Sequence, residues 1–170
     1  MMIRKATITD AADIAKVHVD CWRTTYKNIM PDEVLEQLCY EQRTELWEAN
    51  LCSEDGHLVY VAENEMGEII GFVSGGPEKS GEYPPYGGEI TAIYVLKEYH
   101  NLGFGKELFM HLLQHFNSMH IHSVIVWVLA DNPACTFYER LGARLVVEHH
   151  LIHIGGKNLN MVAYGWGLLG

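Results

Sequence analysis

The segment YHNLGFGKELFMHLLQHF, residues 99–116, says most about how this chain folds. Two glycines one residue apart, Gly103 and Gly105, precede a run with the apolar spacing of an amphipathic helix, and the residues before it, EITAIYV at 89–95, alternate like a β-strand. Glycine lets a ligand approach the backbone closely, and the first turn of a helix carries unpaired N–H groups and a partial positive charge. The sequence therefore predicts a strand, a turn and a helix that together bind phosphate.

Two common phosphate motifs do not match this turn. A Walker loop, G-x-x-x-x-G-K-[ST], needs a glycine at position 100 and a Ser or Thr after Lys106, where the chain has His100 and Glu107. A dinucleotide fingerprint needs a small third residue at position 108, which is Leu108. A tight turn that binds no ligand is the remaining alternative at this level.

Length, composition and charge limit the classes of function. The 170 residues are 48% hydrophobic and 20% charged, which predicts one globular domain spanning residues 1–170. The net charge of -10 argues against a nucleic-acid partner and is compatible with a cationic substrate. No apolar run approaches the roughly 18 residues that span a membrane, and the N-terminal MMIRKATITD lacks a signal-peptide core. We therefore expect a cytoplasmic protein with no membrane partner.

Apolar periodicity predicts alternating strands and helices, with long crossover helices typical of a mixed α/β sheet. The predicted strands cover 2–7, 57–63, 68–76, 89–95, 122–130, 144–154 and 157–166, and the last two form a hairpin. The predicted helices cover 11–26, 31–38, 41–50, the segment after Gly103, and 133–142.

Two motifs resemble those of one enzyme family. The stretch IYVLKEYHNLGFGKEL is similar to the acetyl-CoA motif of the GNAT superfamily of N-acetyltransferases, whose pattern is Gln or Arg, any two, Gly, any one, Gly or Ala. Here it runs from His100 to Gly105, with His in place of Gln or Arg. The stretch DNPACTFYERLGA at 131–143 resembles a second GNAT signature. The opening IRKATITDAADIAKVHVDCW at 3–22 resembles the family's first strand and helix.

The resemblance implies a GNAT fold and an acetyl-CoA site. The fold would be a mixed, mostly antiparallel sheet of about seven strands, splayed between two central parallel strands and flanked by helices. Pantetheine would bond to the backbone where the 89–95 strand bulges, and the pyrophosphate would lie on the amides of the glycine turn. The implied cofactor-binding residues are Ile93, Tyr94, Val95, His100, Asn101, Leu102, Gly103, Phe104, Gly105, Lys106, Asn132 and Tyr138.

The same resemblance implies an acetyl transfer to a primary amine by direct attack in a ternary complex. Glu89, at the start of the strand, is the candidate general base, with a surface carboxylate as the alternative. The Val95 N–H would polarise the thioester carbonyl, and Tyr138 would protonate the leaving thiolate unless it is only a packed aromatic. Asn132 would cap the helix that follows it or bind pantetheine.

The acceptor side carries weaker signals. Trp22 and Tyr26 share a helix face, and Tyr83 and Tyr86 lie in the loop before Glu89; for each, ordinary packing is an alternative. Aromatic walls near carboxylates favour a small cationic amine. A peptide N-terminal or lysine acceptor, a non-catalytic acetyl-CoA-binding module and a plain interaction domain remain open, as does a homodimer through the final hairpin.

Histidines are numerous, but we expect no metal site. His111 and His115 are four residues apart on the predicted helix, yet no third ligand or H-E-x-x-H pattern accompanies them. His149 and His150 lie on opposite faces of a strand, so one of them is expected to face the acceptor.

Overall fold

The computed structural model describes residues 2–167. The strands are β1 (Met2–Lys5), β2 (Leu58–Glu63), β3 (Ile69–Pro77), β4 (Gly88–Val95), β5 (Val124–Leu129), β6 (Arg144–Ile154) and β7 (Lys157–Trp166). The helices are α1 (Ala11–Thr25), α2 (Asp32–Glu36), α3 (Tyr40–Cys52), α4 (Phe104–Ser118) and α5 (Ala134–Arg140). Each strand and helix that the apolar pattern predicts is present, with ends that differ by a few residues.

The strands form one seven-stranded sheet in the order β1-β2-β3-β4-β5-β7-β6. Within residues 2–167, β4 and β5 are the one parallel pair, and every other neighbouring pair is antiparallel. A parallel pair needs a crossover connection, and α4 supplies it. The predicted mixed, mostly antiparallel sheet is therefore confirmed.

β4 and β5 stay together over a short distance and then separate. Their ladder has three residue pairs, from Gly88 with Val124 to Ile90 with Val126. β5 then continues along β7 to Leu129, while β4 continues along β3 to Val95. The result is the expected splay, an opening in the middle of the sheet that starts beyond Ile90.

One detail of β4 differs from the expectation. The strand does bulge, but the register shifts between Ser74, which pairs with Ala92, and Gly75, which pairs with Ile90. Thr91 is therefore the extra residue, and the bulge does not lie at Ile93–Val95 as predicted. A bulge next to the point of separation increases the local twist and helps turn β4 away from β5.

Helices cover both faces of the sheet. α4 and α5 pack on one face, where Leu108, Leu112 and Phe116 of α4 are fully buried. α1 and α3 pack on the other face, where Ile14 of α1 and Trp47 of α3 join one cluster with strand residues. The splay therefore lies between these two helix layers.

The final hairpin stands at the margin of the sheet. β6 is an edge strand, and its Leu145 and Leu151 are exposed. Pairing of this edge with a second copy stays a prediction. No helix between residues 2 and 167 is both long and apolar enough to cross a lipid bilayer.

We predict that Gly75→Ala lowers the free energy of unfolding by about 1–3 kcal/mol, because overpacking at a site with no free space forces the backbone to move. A Cβ at this position would lie 2.6 Å from the Glu89 carbonyl oxygen and 3.1 Å from Leu112. Urea unfolding measures the change. Gly87→Ala is the matched control, since its Cβ would make an ordinary 3.6 Å contact with Ile121. Equal stability of the two variants would contradict the prediction.

Candidate active site

The turn before α4 presents a run of backbone N–H groups without acceptors. None of the amides from Asn101 to Lys106 donates a hydrogen bond to another atom of residues 2–167, whereas the next amide, that of Glu107, donates to the Gly103 carbonyl at 3.1 Å. Gly103 has a φ of 90° and Asn101 a φ of 63°, left-handed conformations that these two residue types tolerate. Free N–H groups at a helix N-terminus make a site for an anion.

The side chains of the turn have separate functions. Leu102 and Lys106 are exposed, whereas Phe104 is buried in the core. Gly105 packs against α5, because a Cβ there would lie 3.2 Å from the Phe137 ring. The absence of a side chain at Gly105 therefore allows α4 and α5 to approach each other. The Gly105 backbone N–H is still available to a ligand.

His100 fastens the turn to the end of β4. Its Nε2 lies 2.7 Å from the Val95 carbonyl oxygen. Because a carbonyl oxygen can only accept, Nε2 carries the proton in this contact. The imidazole therefore has a structural partner at the position where Gln or Arg was the expected residue.

The backbone of β4 presents alternate residues to the splay. The Leu96 N–H donates to the Ile70 carbonyl on β3 at 2.9 Å. Because successive residues of a strand turn their N–H and C=O groups to opposite sides, Ile93 and Val95 face away from β3, into the splay. Tyr94 was expected to offer its backbone to the cofactor, but its N–H and C=O groups face β3. What Tyr94 brings to this region is its side chain.

Tyr138 of α5 is buried, at 4% exposure, with its ring near those of Tyr164 and Trp166. No residue from 2 to 167 hydrogen-bonds to its hydroxyl group. Burial raises the pKa of Tyr138, and the nearby Tyr26 hydroxyl adds to this effect. The hydroxyl therefore stays protonated at neutral pH and is available as a donor.

A group of polar side chains joins α1 to both strands of the splay. Asn132 is buried, accepts the Ala134 N–H at 2.9 Å with Oδ1 and donates from Nδ2 to the Tyr26 hydroxyl at 3.2 Å. Asn132 therefore satisfies the first N–H group of α5 from the residue before Pro133, which holds the N-cap position itself. The Tyr26 and Tyr94 hydroxyl oxygens are 3.5 Å apart, and the Trp22 indole donates to Tyr94 at 2.9 Å. Trp22 and Tyr26 do share a face, with ring centroids 5.0 Å apart.

A cleft of about 570 Å³ lies on the α3 side of the sheet, beside the first half of β4. Its lining consists of Asn50, Asp55, His57, Gly76, Pro77, Glu78, Lys79, Ser80, Glu82, Tyr83, Glu89, Thr91, Trp127, His150, Ile152 and Met161. Four carboxylates face one lysine, Lys79, and that lysine is already paired with Asp55 at 2.5 Å. The cleft is therefore electrostatically suited to a cation.

Glu89 lies in this cleft and is half-buried. Burial raises its pKa above the ordinary value, and the negative charge of Glu78 raises it further. No hydrogen-bond partner for its carboxylate exists within residues 2–167. An unpaired carboxylate with a raised pKa has the properties of a general base.

Aromatic rings form part of the cleft wall. Tyr83 meets Trp127 edge-on, with centroids 5.5 Å apart, and His150 lies 5.2 Å from Trp127 on the other side. Tyr83, one of the predicted acceptor-side residues, lines the cleft, and of the two histidines His150 lines it and His149 does not. Tyr86 is not in the cleft lining; its ring covers Gly165, where a Cβ would lie 2.6 Å from it.

Trp127 was missed in the sequence, where VIVWVL reads as a uniformly buried strand. A signal was present, because Glu89 pairs with Ile125 and residues two apart share a face of a strand. Once the register of β4 on β5 is known, Trp127 must project on the same side as Glu89. The register itself cannot be obtained from either strand alone.

The two predicted helix histidines have ordinary partners. His111 Nδ1 lies 2.9 Å from the Glu107 carbonyl oxygen, and His115 Nδ1 lies 2.8 Å from the Tyr60 hydroxyl. Among residues 2–167 there is no cluster of three or more His, Cys, Asp or Glu side chains arranged to bind a metal ion.

Comparison with solved structures matches this architecture. PaiA N-acetyltransferase from Thermoplasma acidophilum, solved in complex with coenzyme A, superposes with a TM-score of 0.79 over 98% of each chain at 19% identity. Ribosomal-protein-alanine N-acetyltransferase from Brucella melitensis superposes with a TM-score of 0.75 over 99% of this chain and 100% of that one, at 24% identity. At such identities the likeness establishes a shared fold.

Sequence comparison establishes the family. The model of the acetyltransferase (GNAT) family matches residues 13–143. YuaI of Bacillus subtilis (strain 168), an uncharacterized N-acetyltransferase, is 41% identical over 169 residues, covering 96% of this chain and 91% of that protein. The resemblance seen in the two sequence motifs is thereby confirmed. The chain belongs to the GNAT family of acetyltransferases and is an acetyl-CoA-dependent N-acetyltransferase.

Proposed function

We propose that this enzyme transfers the acetyl group of acetyl-CoA to the primary amine of a small cationic acceptor, by direct attack within a ternary complex. The observation that carries the proposal is the position of Glu89. This unpaired, half-buried carboxylate lies in an acidic, aromatic-walled cleft, on the same strand whose far end opens into the splay.

The residues present fit acetyl-CoA at both ends of the splay. The free amides from Asn101 to Lys106 suit the pyrophosphate, and Lys106 adds a positive charge in a chain of net charge -10. The N–H and C=O of Ile93 and the N–H of Val95 can pair with pantetheine as a strand would, whereas the Val95 carbonyl already accepts from His100. The Tyr94 backbone cannot bind pantetheine in this way, because its N–H and C=O groups face β3.

Glu89 removes the proton that keeps the acceptor amine from attacking. An alkylammonium of pKa near 10.4 is only about 0.1% neutral near pH 7.4, which costs about 4 kcal/mol. A carboxylate in the cleft first attracts the cation and then accepts its proton, directly or through a water molecule. The raised pKa of Glu89 makes it a better proton acceptor than an exposed glutamate.

Val95 and Tyr138 act on the thioester. The Val95 N–H faces the splay and can donate to the carbonyl oxygen as negative charge develops there. When the C–S bond breaks, the Tyr138 hydroxyl gives its proton to the thiolate. Neither group has another hydrogen-bond acceptor within residues 2–167.

The class of acceptor follows from the cleft. Its carboxylates attract a cation, and the Tyr83 and Trp127 rings offer faces that favour an ammonium group. A thiol-release screen with DTNB and acetyl-CoA, over diamines, polyamines, amino acids and short peptides, tests this choice. We expect turnover with small cationic amines; turnover with peptides alone would overturn the acceptor class, and no turnover with any amine would favour a non-catalytic acetyl-CoA-binding module.

Acetyl-CoA at about 100 times its Kd should stabilise the native protein by about 2.7 kcal/mol, or about 5–10 °C in Tm. Gly103→Val should lose most of this shift, because the side chain strains the turn and covers its amides. Differential scanning fluorimetry with and without acetyl-CoA measures both effects.

Gly156→Val is the matched control for that experiment. Gly156 has a φ of 82°, and no atom lies within 4 Å of the place that a Cβ would occupy, so the variant bears similar backbone strain in the distant β6–β7 turn. It should lower Tm but keep the full acetyl-CoA shift. A full shift in Gly103→Val as well would remove the turn from the binding site.

Tyr138→Phe should lower kcat by about 100-fold while acetyl-CoA binding persists, because the ring remains and the proton donor is lost. The control is Tyr164→Phe. Tyr164 packs 6.2 Å from Tyr138, and its hydroxyl is occupied by Glu139 at 2.7 Å. Its kcat should stay within about twofold of wild type. Equal kcat values for the two variants would make Tyr138 a packing residue.

Glu89→Gln should lower kcat by about 100-fold at pH 7 and recover partly as the pH rises, because more acceptor then arrives neutral. Steady-state kinetics between pH 6 and about 9.5 measure this with the best amine of the screen. A rise in KM with kcat preserved would instead indicate simple attraction of the cation.

Glu78→Gln gives an independent check on the same assignment. Glu78 raises the pKa of Glu89, so its neutralisation should lower that pKa. The base is active when deprotonated, and the acidic limb of the kcat/KM profile should therefore move to lower pH. A limb that stays in place would assign the titration to a group other than Glu89.

A further inference from the structure

Tyr26 holds a phenol in an unusual position. It follows the last residue of α1 and is 6% exposed, yet its hydroxyl reaches both Asn132 beyond β5 and Tyr94 on β4. It thus lies across the two strands that separate at the splay. It does not line the acidic cleft, so the expected part in acceptor binding does not account for it.

One of the two hydroxyl protons of Tyr26 and Tyr94 has no hydrogen-bond acceptor within residues 2–167. A phenol has one proton to donate and can accept twice, whereas an indole N–H only donates. Trp22 donates to Tyr94, and the Asn132 amide nitrogen donates to Tyr26. The two hydroxyl groups share one hydrogen bond at 3.5 Å, so of their two protons one is used between them and one is free.

The surroundings of Tyr94 decide which proton is free. The Tyr94 ring lies among Trp22, Phe72 and His18, with the His18 ring stacked on it at 5.4 Å. Burial lowers the pKa of His18 to about 4, and its Nδ1 already accepts from the Trp47 indole at 3.1 Å. The Tyr26 oxygen is then the acceptor within reach for the Tyr94 proton in the described chain, which leaves the Tyr26 proton without one.

The free proton lies at the mouth of the splay. Asn132, Tyr94 and Tyr26 converge there from β5, β4 and α1, and Tyr94 immediately precedes Val95, whose N–H faces the opening. Tyr138 is near enough for its charge to interact with Tyr26, but the two hydroxyl groups do not hydrogen-bond to each other.

We propose that the Tyr26 hydroxyl donates a hydrogen bond to the thioester carbonyl oxygen of acetyl-CoA, as a second donor beside the Val95 N–H. This inference rests on the acetyl-transfer site described above. The amine nitrogen forms a bond to the carbonyl carbon while the C=O π pair moves onto the oxygen, where Tyr26 stabilises the charge without giving up its proton. The carbonyl re-forms as the C–S bond breaks, and the thiolate takes its proton from Tyr138. The proton that the acetylated nitrogen then loses returns the Tyr138 phenolate to its neutral form.

Trp22 and Asn132 are positioning residues for this donor. Each donates into the phenol pair, and a hydroxyl that accepts hydrogen bonds becomes a stronger donor itself. Their contacts also fix the direction of the hydroxyl before the ligand arrives. A donor held in advance gains more from a developing charge than one that must reorient.

The test compares wild type with Tyr26→Phe in two measurements. In infrared difference spectra of acetyl-CoA labelled with ¹³C at the carbonyl, the wild-type complex should show the thioester C=O stretch at a lower frequency than in water. In Tyr26→Phe this frequency should shift part of the way back toward its value in water. The kcat should fall about 100-fold, as for loss of one oxyanion donor, with KM for acetyl-CoA within about threefold. A band in Tyr26→Phe that stays at its wild-type position would overturn the proposal.

Two further variants complete the test. Tyr40→Phe, whose hydroxyl bonds to Asp20 at 2.5 Å on the outer side of α1, should match wild type in both measurements. Tyr94→Phe removes one incoming hydrogen bond but leaves the Tyr26 proton, so it should keep the shifted band and lose less activity than Tyr26→Phe. A Tyr94→Phe band at the position found in water would assign the donor to Tyr94 and overturn the proposal, even if Tyr26→Phe fails to fold.

The infrared measurement separates this inference from the acceptor assignment. It needs acetyl-CoA and no amine, so an incorrect acceptor class or an incorrect base leaves it unchanged. If acetyl-CoA binds with a shifted band in wild type and in Tyr26→Phe alike, the binding site stands and the Tyr26 donor is refuted.

Discussion

The short ladder between β4 and β5 is the feature on which the other parts of the site depend. Three residue pairs hold the strands together, and beyond Ile90 their paths separate. Beyond that point one side of β4 pairs with β3, whereas on the other side, among residues 2–167, only the Val95 carbonyl has a partner, His100; the proposed role of Ile93 and Val95 depends on this. A buried backbone group without a hydrogen bond costs free energy. A ligand that hydrogen-bonds to the unpaired side of β4 is therefore favoured.

The same separation brings three distant elements together. α1, β4 and the start of α5 meet at the opening, with Tyr26, Tyr94, Asn132 and Tyr138 as their contributions. If the strands paired over their full length, the two faces of the sheet would be sealed from each other. In the proposed mechanism, the α5 phenol would approach the thioester from one face and the acceptor from the other.

Charge is distributed to suit ligands of opposite sign. The anion site at the glycine turn is made of backbone N–H groups with one exposed lysine, whereas the cleft is made of side-chain carboxylates. Backbone dipoles bind an anion without adding net charge, so the chain keeps its acidic surface. In the proposed function, the cleft would attract a cationic acceptor and the local backbone geometry of the turn would hold the anionic cofactor.

Sequence reasoning succeeded where the signal is local and failed where it depends on pairing across the sheet. The glycine turn, α4 and the contact of Asn132 with the first N–H of α5 each depend on a few neighbouring residues. The bulge at Thr91 and the cleft residue Trp127 depend on strand register, and the Tyr26–Tyr94 contact joins positions 68 residues apart. No alternation within one strand specifies such contacts, because they arise from how neighbouring elements pack.

The contact between Gly105 and the Phe137 ring has a mechanical consequence. It presses the first turn of α4 against α5 one residue before Tyr138, with 3.2 Å between the ring and the position of a Cβ. In the proposed mechanism, the turn that binds the pyrophosphate and the phenol that protonates the thiolate are therefore linked through one packed contact. A substitution that enlarges position 105 would push on both ends at once, so cofactor affinity and turnover cannot be adjusted separately from that position.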